Sequence, residues 1–442
     1  MKRSYLNLVA VLGLVAGVAT LSSCEKQKGC TDAAATNFNA DADEEDGSCV
    51  YDAATKSGTI SSDETWTNDR IYVLSGRVVV ASGATLTIEA GTIIKGAEGQ
   101  ETNASALIVA RGGKIMAEGT ASNPIIFTSV LDNIQLGEKV GTNLSKTDNE
   151  KWGGLVILGN AKVSAEDGDT EANIEGIPAN LGYGLYGGTN DADNSGVLAY
   201  VSIRHCGISI GEGNEINALT LGGVGSGTSI SNVEVYATLD DGIECFGGSV
   251  DISNALVFFQ GDDGIDLDQN YSGTISNFAV IHGDGIGTDE GLEIDGPENT
   301  TYTDGMFHLM NGICMSVGTT DGSAGDFKSK AQGMVENVTF DYSSVGGKNV
   351  KIRASYQNDC ADAKTDAFTH LTGSTPKLIF TNVSRSGVGV YTESKDNAGT
   401  VTCTVPTTDV DAATNAISNG SGSTFDYESA FSWTAAGARG EL

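Results

Sequence analysis

Between Thr228 and Glu298 the chain repeats one acidic pattern three times. Asp240-Asp241-Gly242-Ile243-Glu244 recurs as Asp262-Asp263-Gly264-Ile265-Asp266 and, after a five-residue insertion, as Asp289-Glu290-Gly291-Leu292-Glu293. Clustered carboxylates suit two kinds of chemistry, oxygen coordination of a hard cation and general acid–base catalysis. Alternation along a strand places Ile243, Ile265 and Leu292 in a core and turns Glu244, Asp266 and Glu293 to solvent. Two residues on, Cys245, Leu267 and Ile294 face inward again, while Phe246, Asp268 and Asp295 face out. Equivalent residues on stacked strands lie about 4.8 Å apart, where two carboxylates repel by roughly 1 to 3 kcal/mol. No Lys or Arg occurs between Arg204 and Lys328 to neutralise them. The ladder is therefore expected to attract calcium, with Asp241, Glu244, Asp263, Asp266, Asp268, Glu290, Glu293 and Asp295 as ligands. A solvated acidic face without an ion is the alternative.

The elements that must position these residues follow from the same repeat. Ile230-Ser231-Asn232 returns as Ile252-Ser253-Asn254 and Ile275-Ser276-Asn277, at spacings of 22 and 23. Short β-branched runs, Gly/Asn/Asp turns and a period in the low twenties describe a coil that stacks on copies of itself. The Leu-x-x-Leu-x-Leu framework of leucine-rich repeats is absent. The fold class is all-β, a right-handed parallel β-helix with long loop insertions. Runs such as Val78-Val79-Val80, Leu86-Thr87-Ile88 and Ala106-Leu107-Ile108-Val109, each bounded by short turns, extend the coils upstream. Thr59 to Trp66 is expected to cap the open first edge, and Phe431-Ser432-Trp433 to cap the last coil. Ile216-Asn217-Ala218 reads as the rung ahead of Glu244. Glu166 to Asn194 is a long excursion of the kind that carries binding, with Tyr183, Tyr186 and Tyr200 in or beside it as packing anchors or sugar-stacking rings.

The chain has 442 residues and a formal charge of −33, which argues against nucleic acid or an anionic lipid surface as partner. Lys2 and Arg3 precede an apolar run from Leu6 to Leu21, a signal peptide over residues 1–23. Leu21-Ser22-Ser23-Cys24 resembles the lipobox of bacterial lipoproteins, which implies lipidation at Cys24 and removal of the two preceding basic residues. Residues 24–56 form a linker with a small module bracketed by Cys30 and Cys49, in a compartment where disulfides persist. Its alternating Asn37, Asn39, Asp41 and Asp43 depart from a calcium-loop order, so a disulfide-closed spacer is preferred. Residues 57–442 form the β-helix. Cys360 and Cys403 could pair, which spacing does not decide. Cys206, Cys245 and Cys314 read as small buried apolar side chains.

Several phrases carry a resemblance: residues 83–92 (GATLTIEAGT), residues 119–128 (GTASNPIIFT), Trp152-Gly153-Gly154, residues 219–225 (LTLGGVG), and Asp240-Asp241 with Phe246-Gly247-Gly248. They are similar to a family of Bacteroidetes β-helix lipoproteins without an established biochemical activity, and the module from Gly29 to Cys49 resembles one common in surface and secreted proteins of that group. The resemblance implies the fold and an envelope location, with the outer membrane expected and surface display preferred to the periplasmic side. Function then divides into two classes. The preferred one is a non-catalytic binding or structural β-helix, calcium-stabilised, tethered to the membrane only through its lipid and contacting a glycan or a surface protein. The other is a calcium-dependent polysaccharide-degrading enzyme, pectate-lyase-like or polygalacturonase-like, with Asp240, Asp241, Asp262, Asp263 and His282 as candidates. Against catalysis stand the coil-by-coil repetition of the Asp pair and the lack of a basic residue in the repeat core.

Overall fold

A computed structural model describes residues 26–442 apart from 34, 100–102, 167–168, 212–213, 284–287, 319–321, 346–347, 358–359, 361, 387, 396–402 and 418–419. The signal segment and Cys24 lie outside the described residues. The chain divides into two compact units, one ending at Tyr51 and one running from Asp52 to Leu442.

In the first unit a parallel bridge joins Lys28–Gly29 to Glu44–Glu45, and Cys30 is bonded to Cys49. Its side-chain oxygens accept from groups of the same unit. Asn37 Oδ1 accepts from the Val50 amide, Asn39 Oδ1 from Asp41, Asp46 Oδ1 from Ser48, and Glu45 Oε2 from the Thr31 amide and hydroxyl.

The second unit is a parallel β-helix with three strands per coil, which we call sheets I, II and III in the order the chain visits them. In one full coil, residues 233–238 belong to sheet I, 243–246 to sheet II and 251–253 to sheet III. The strands of sheet II that matter below are β1 (Leu219–Gly222), β2 (Ile243–Phe246), β3 (Ile265–Asp268), β4 (Leu292–Ile294), β5 (Gly325–Phe327) and β6 (Lys348–Gln357). Each is parallel to the next and in register, so that Leu221, Cys245, Leu267, Ile294, Phe327 and Ile352 form one inward column without solvent exposure. Burying one such aliphatic side chain is worth about 1.5 to 3 kcal/mol, and the column repeats that gain at every rung.

The bend from sheet III to sheet I explains the recurring Ile-Ser-Asn. Asn232, Asn254, Asn277, Asn311, Asn337 and Asn382 all hold φ between 52° and 57°, a left-handed conformation that Asn tolerates better than other residues with a side chain. From Asn254 onward each Nδ2 donates to Oδ1 of the Asn one coil earlier, over 2.7–3.4 Å.

Three expectations about the ends and the rungs are corrected. Coils begin at Ala54, and Thr59–Trp66 is not a cap: residues 58–60 pair with 78–80, and Glu64–Trp66 with 86–88, as full members of the first coil. The C-terminal end of the core is filled instead by α1 (Ala367–Thr372) and α2 (Thr407–Ala416), which supply Ala367, Leu371 and Ala413. The segment with Phe431 and Trp433 runs back along sheet I. With α3 (Tyr427–Ala430) and α4 (Ala435–Arg439), it packs Phe431, Ala435 and Ala436 on Tyr236, Phe258 and Ile281. The rung ahead of Glu244 is β1, two residues past Asn217, because an in-register partner of Glu244 is Thr220. Cys360 and Cys403 are bonded, while Cys206, Cys245 and Cys314 are buried free thiols.

The asparagine column makes a graded prediction. Asn277→Ala removes two amide hydrogen bonds, about 1 kcal/mol each, and forces alanine into a left-handed conformation costing roughly 1 to 2 kcal/mol more. Asn277→Gly loses only the hydrogen bonds. Denaturant unfolding should therefore rank Asn277→Ala below Asn277→Gly below the parent, and equal stability of the two variants would rule out backbone strain as part of the cost.

Candidate cation site on the outer face of sheet II

The outward side chains of sheet II change character along the helix axis. In register they run Val79, Ile108, Val156, Thr220, Glu244, Asp266, Glu293, Asp326 and Lys351. The apolar stretch is covered by the excursion after Gly159, which packs Val163, Ala165, Ile174, Ile177 and Tyr186 on Val79, Ile108, Val156, Leu158 and Phe246. Tyr186 is a packing anchor: its ring lies 5.9 Å from that of Phe246 and its hydroxyl donates to Gln269 Oε1 at 3.0 Å. Tyr200 packs edge-on against Trp433.

The acidic stretch is not the solvated ladder that alternation predicted. Glu244, Asp266 and Glu293 do face away from the aliphatic core, yet Asp240, Asp241, Glu244, Asp263, Asp266 and Glu290 are all buried. Glu293, Asp268 and Asp295 are half-buried, whereas Asp262 and Asp289 lie exposed at the rim. Residues that precede the repeat add to the site. Asn217 Nδ2 donates to Glu244 Oε2 and, at 3.3 Å, to Oε1 of Glu175 from the excursion.

Carboxylate oxygens within 4.8 Å of one another gather in four groups: Asp240, Asp241 and Asp262; Asp241, Glu244 and Asp266; Asp263, Glu290 and Glu293; and Asp266, Asp268 and Asp295. All eight residues expected as cation ligands are among them.

The Asp-Asp-Gly turn shows why the pattern repeats. At this position a side chain accepts the amide of its equivalent one coil later: Asn217 Oδ1 from Asp241, Asp241 Oδ1 from Asp263, and Asp263 Oδ1 from Glu290, at 3.2, 2.9 and 2.6 Å. The glycine that follows admits the next coil, since a Cβ on Gly242 would sit 2.5 Å from the Gly264 carbonyl oxygen. Asp241 and Asp263 are thus held by the coil geometry itself.

Burial, followed by repulsion from neighbouring carboxylates, raises Asp241, Glu244, Asp263, Asp266 and Asp268 well above the usual carboxylate range. Asp240 is pushed to about 8 by burial and Glu175, and Glu175 to about 7 by burial and Glu215.

The expectation that no basic group reaches the ladder is also corrected, because later coils return to the same face. Lys328 Nζ lies 2.5 Å from Glu293 and 3.5 Å from Asp295, Lys351 pairs with Glu290, and Arg353 lies 3.1 Å from Asp326. Burial alone would lower both ammonium groups, but Asp295 and Glu293 push Lys328 up and Glu290 pushes Lys351 up. The sequence gap hid these three because they belong to rungs beyond it. His282 does not join the site. It is fully buried, its Nε2 lies 3.2 Å from the Tyr342 hydroxyl, and burial pushes it down to about 3.

The raised carboxylates set a pH dependence. In the absence of a cation the folded chain holds protons that the unfolded chain releases above its ordinary carboxylate pKa of about 4, so stability falls as pH rises toward about 8. Buried neutral His205 and His282, pushed down to about 4 and about 3, act the other way below the ordinary imidazole pKa, which leaves the clean window between about pH 6.5 and 8. Melting temperatures in chelator should fall across that window and fall less with calcium present. A flat profile in chelator would mean that the cluster is neutralised within the chain.

The family model for a pectate-lyase-like β-helix domain matches residues 58–436. No curated protein and no solved structure matches the chain. The match begins within the first coil and ends in the segment that folds back over sheet I, so it spans the whole three-sheet helix with its acidic face, and the chain belongs to the pectate-lyase-like β-helix domain family.

Proposed function

We propose that the protein is an envelope-anchored β-helix that binds rather than cuts, with calcium on the acidic face of sheet II. Cys24 would carry the lipid that tethers it to the outer membrane, facing the cell surface, and its partner would be a glycan or a surface protein. The observation that carries the cation reading is the buried group of Asp241, Glu244 and Asp266, whose oxygens lie within 4.8 Å of one another. Oxygens bound to one calcium at about 2.3 to 2.6 Å fall within that separation. The donors are all hard oxygens, which favours calcium over zinc.

The arrival of Lys328, Lys351 and Arg353 on the same face favours a second reading, a calcium-dependent polysaccharide-degrading enzyme. It is the weaker of the two. A general base must be able to give up its proton, and both lysines are held protonated by the carboxylates they touch. Arg353 is likewise committed to Asp326. Of the acid candidates, Asp241 and Asp263 accept amides of the following coil, and His282 is sealed away from the face.

Thermal unfolding of the full chain in chelator, followed by return of calcium, tests the first reading. At a hundredfold excess over Kd, calcium should add about 2.7 kcal/mol of stability, and the combined change Glu244→Gln, Asp266→Asn and Glu293→Gln should abolish that gain. No stabilisation by calcium would sink the cation reading. Incubation with polyuronates and neutral glycans in calcium tests the second: no new reducing or unsaturated ends should form, and turnover lost in Lys351→Ala would favour the enzyme.

A further inference from the structure

We propose that the acidic face holds two divalent cations side by side, bridged by the carboxylate of Asp266. The proposal rests on the cation reading above and adds number, position and bridge. Asp241 and Asp266 each belong to two of the groups, but Asp241 Oδ1 is taken by the Asp263 amide, whereas Asp266 joins one group with Asp241 and Glu244 to one with Asp268 and Asp295. Within each group the oxygens are close enough to share one ion, since oxygens on a common calcium can be no farther apart than about twice its bond length of roughly 2.5 Å. The two groups are displaced from each other. Glu244 is the register partner of Asp266 on the coil before, whereas Asp268 lies two residues along β3 and Asp295 lies on the coil after. A carboxylate between them has one oxygen for each side.

An independent observation marks the bridge. Asp266 Oδ1 is buried and has no hydrogen-bond partner among the described residues, in a residue only 7% exposed. Once ionised, that oxygen would stand unpaired in the interior, which is strongly unfavourable, and the adjacent Asp241, Glu244, Asp268 and Asp295 would offer it only more negative charge. Lys328 is the one basic side chain among the described ion pairs that reaches either group, through Asp295, and it is shared with Glu293. A single divalent ion in one group would leave the other with its carboxylates barely compensated, whereas one ion in each comes close to balance.

The neighbouring group of Asp263, Glu290 and Glu293 shows where the series stops. There Lys351 and Lys328 occupy the place of a cation. Lysine thus closes the row of metal positions on the side of β4. The donors are all oxygen, so the ions would be calcium or a hard substitute such as manganese, and ions sharing a carboxylate sit roughly 3.5 to 4 Å apart.

Manganese is the probe. Equilibrium dialysis of the full chain should give two Mn2+ per chain displaced by calcium, and electron paramagnetic resonance should show a spin-coupled pair. Asp266→Asn should reduce the bound ions to one and leave the spectrum of an isolated ion, while Asp289→Asn at the exposed rim should keep both ions and their coupling. Circular dichroism reports whether Asp266→Asn folds, and the count and spectrum of the parent chain decide the matter if it does not. One ion per chain, or two without coupling, overturns the bridge and leaves the cation reading standing. No bound manganese or calcium removes both.

Discussion

Parallel stacking in register sets like upon like, and every column of this protein is a response to that constraint. Aliphatic columns meet it at no penalty, because Leu, Ile and Val gain from contact with themselves. Asparagine meets it by carrying donor and acceptor on one amide, so that Asn232 through Asn382 pass a hydrogen bond from coil to coil while supplying the left-handed bend. Carboxylates have no such answer. Ionised, they accept only, and Glu244, Asp266 and Glu293 in register repel unless a proton, a lysine or a metal ion intervenes.

The outer face of sheet II displays three answers in sequence. Upstream, apolar residues are roofed by the excursion through Tyr186. Downstream, Lys328, Lys351 and Arg353 pair with acids and neutralise them directly. Between these lies the stretch whose charges the chain leaves least compensated, and whose position is fixed by amides donated into Asp241 and Asp263. The site is therefore rigid for the same reason that the coil is regular.

Much of this was legible from residue spacing alone. The recurrence of Ile-Ser-Asn and Asp-Asp-Gly located coils, inward columns and the acids that converge, because a helix of this kind is built from nearest-neighbour contacts that sequence period encodes directly. What spacing could not encode were contacts outside the period. The burial of Glu244 depends on an excursion whose Glu175 lies far from it in sequence, and Lys328 reaches Asp295 because intervening loops leave the register intact. Ile216-Asn217-Ala218 has the composition of a rung, yet Asn217 stands in the column of Asp241, a shift that only the strand pairing reveals. The capping expected of Thr59–Trp66 and of Phe431–Trp433 differs from the structure for a related reason: a polar segment near one end and an aromatic one near the other look alike in sequence whether they close a coil, belong to one or lie along its flank.

The returning tail has a consequence for how the molecule is made. Glu234 is wholly buried, accepts the amides of Ala435 and Ala436 at 2.8 and 3.0 Å, and lies beside Tyr236, whose hydroxyl donates to Glu441. Coils can accrete one on another as the polypeptide emerges, each needing only its predecessor, but this flank stays open until the last residues arrive. A solenoid built mainly from contacts between neighbouring coils thus acquires a seam that spans some two hundred positions and closes only when the last residues are in place.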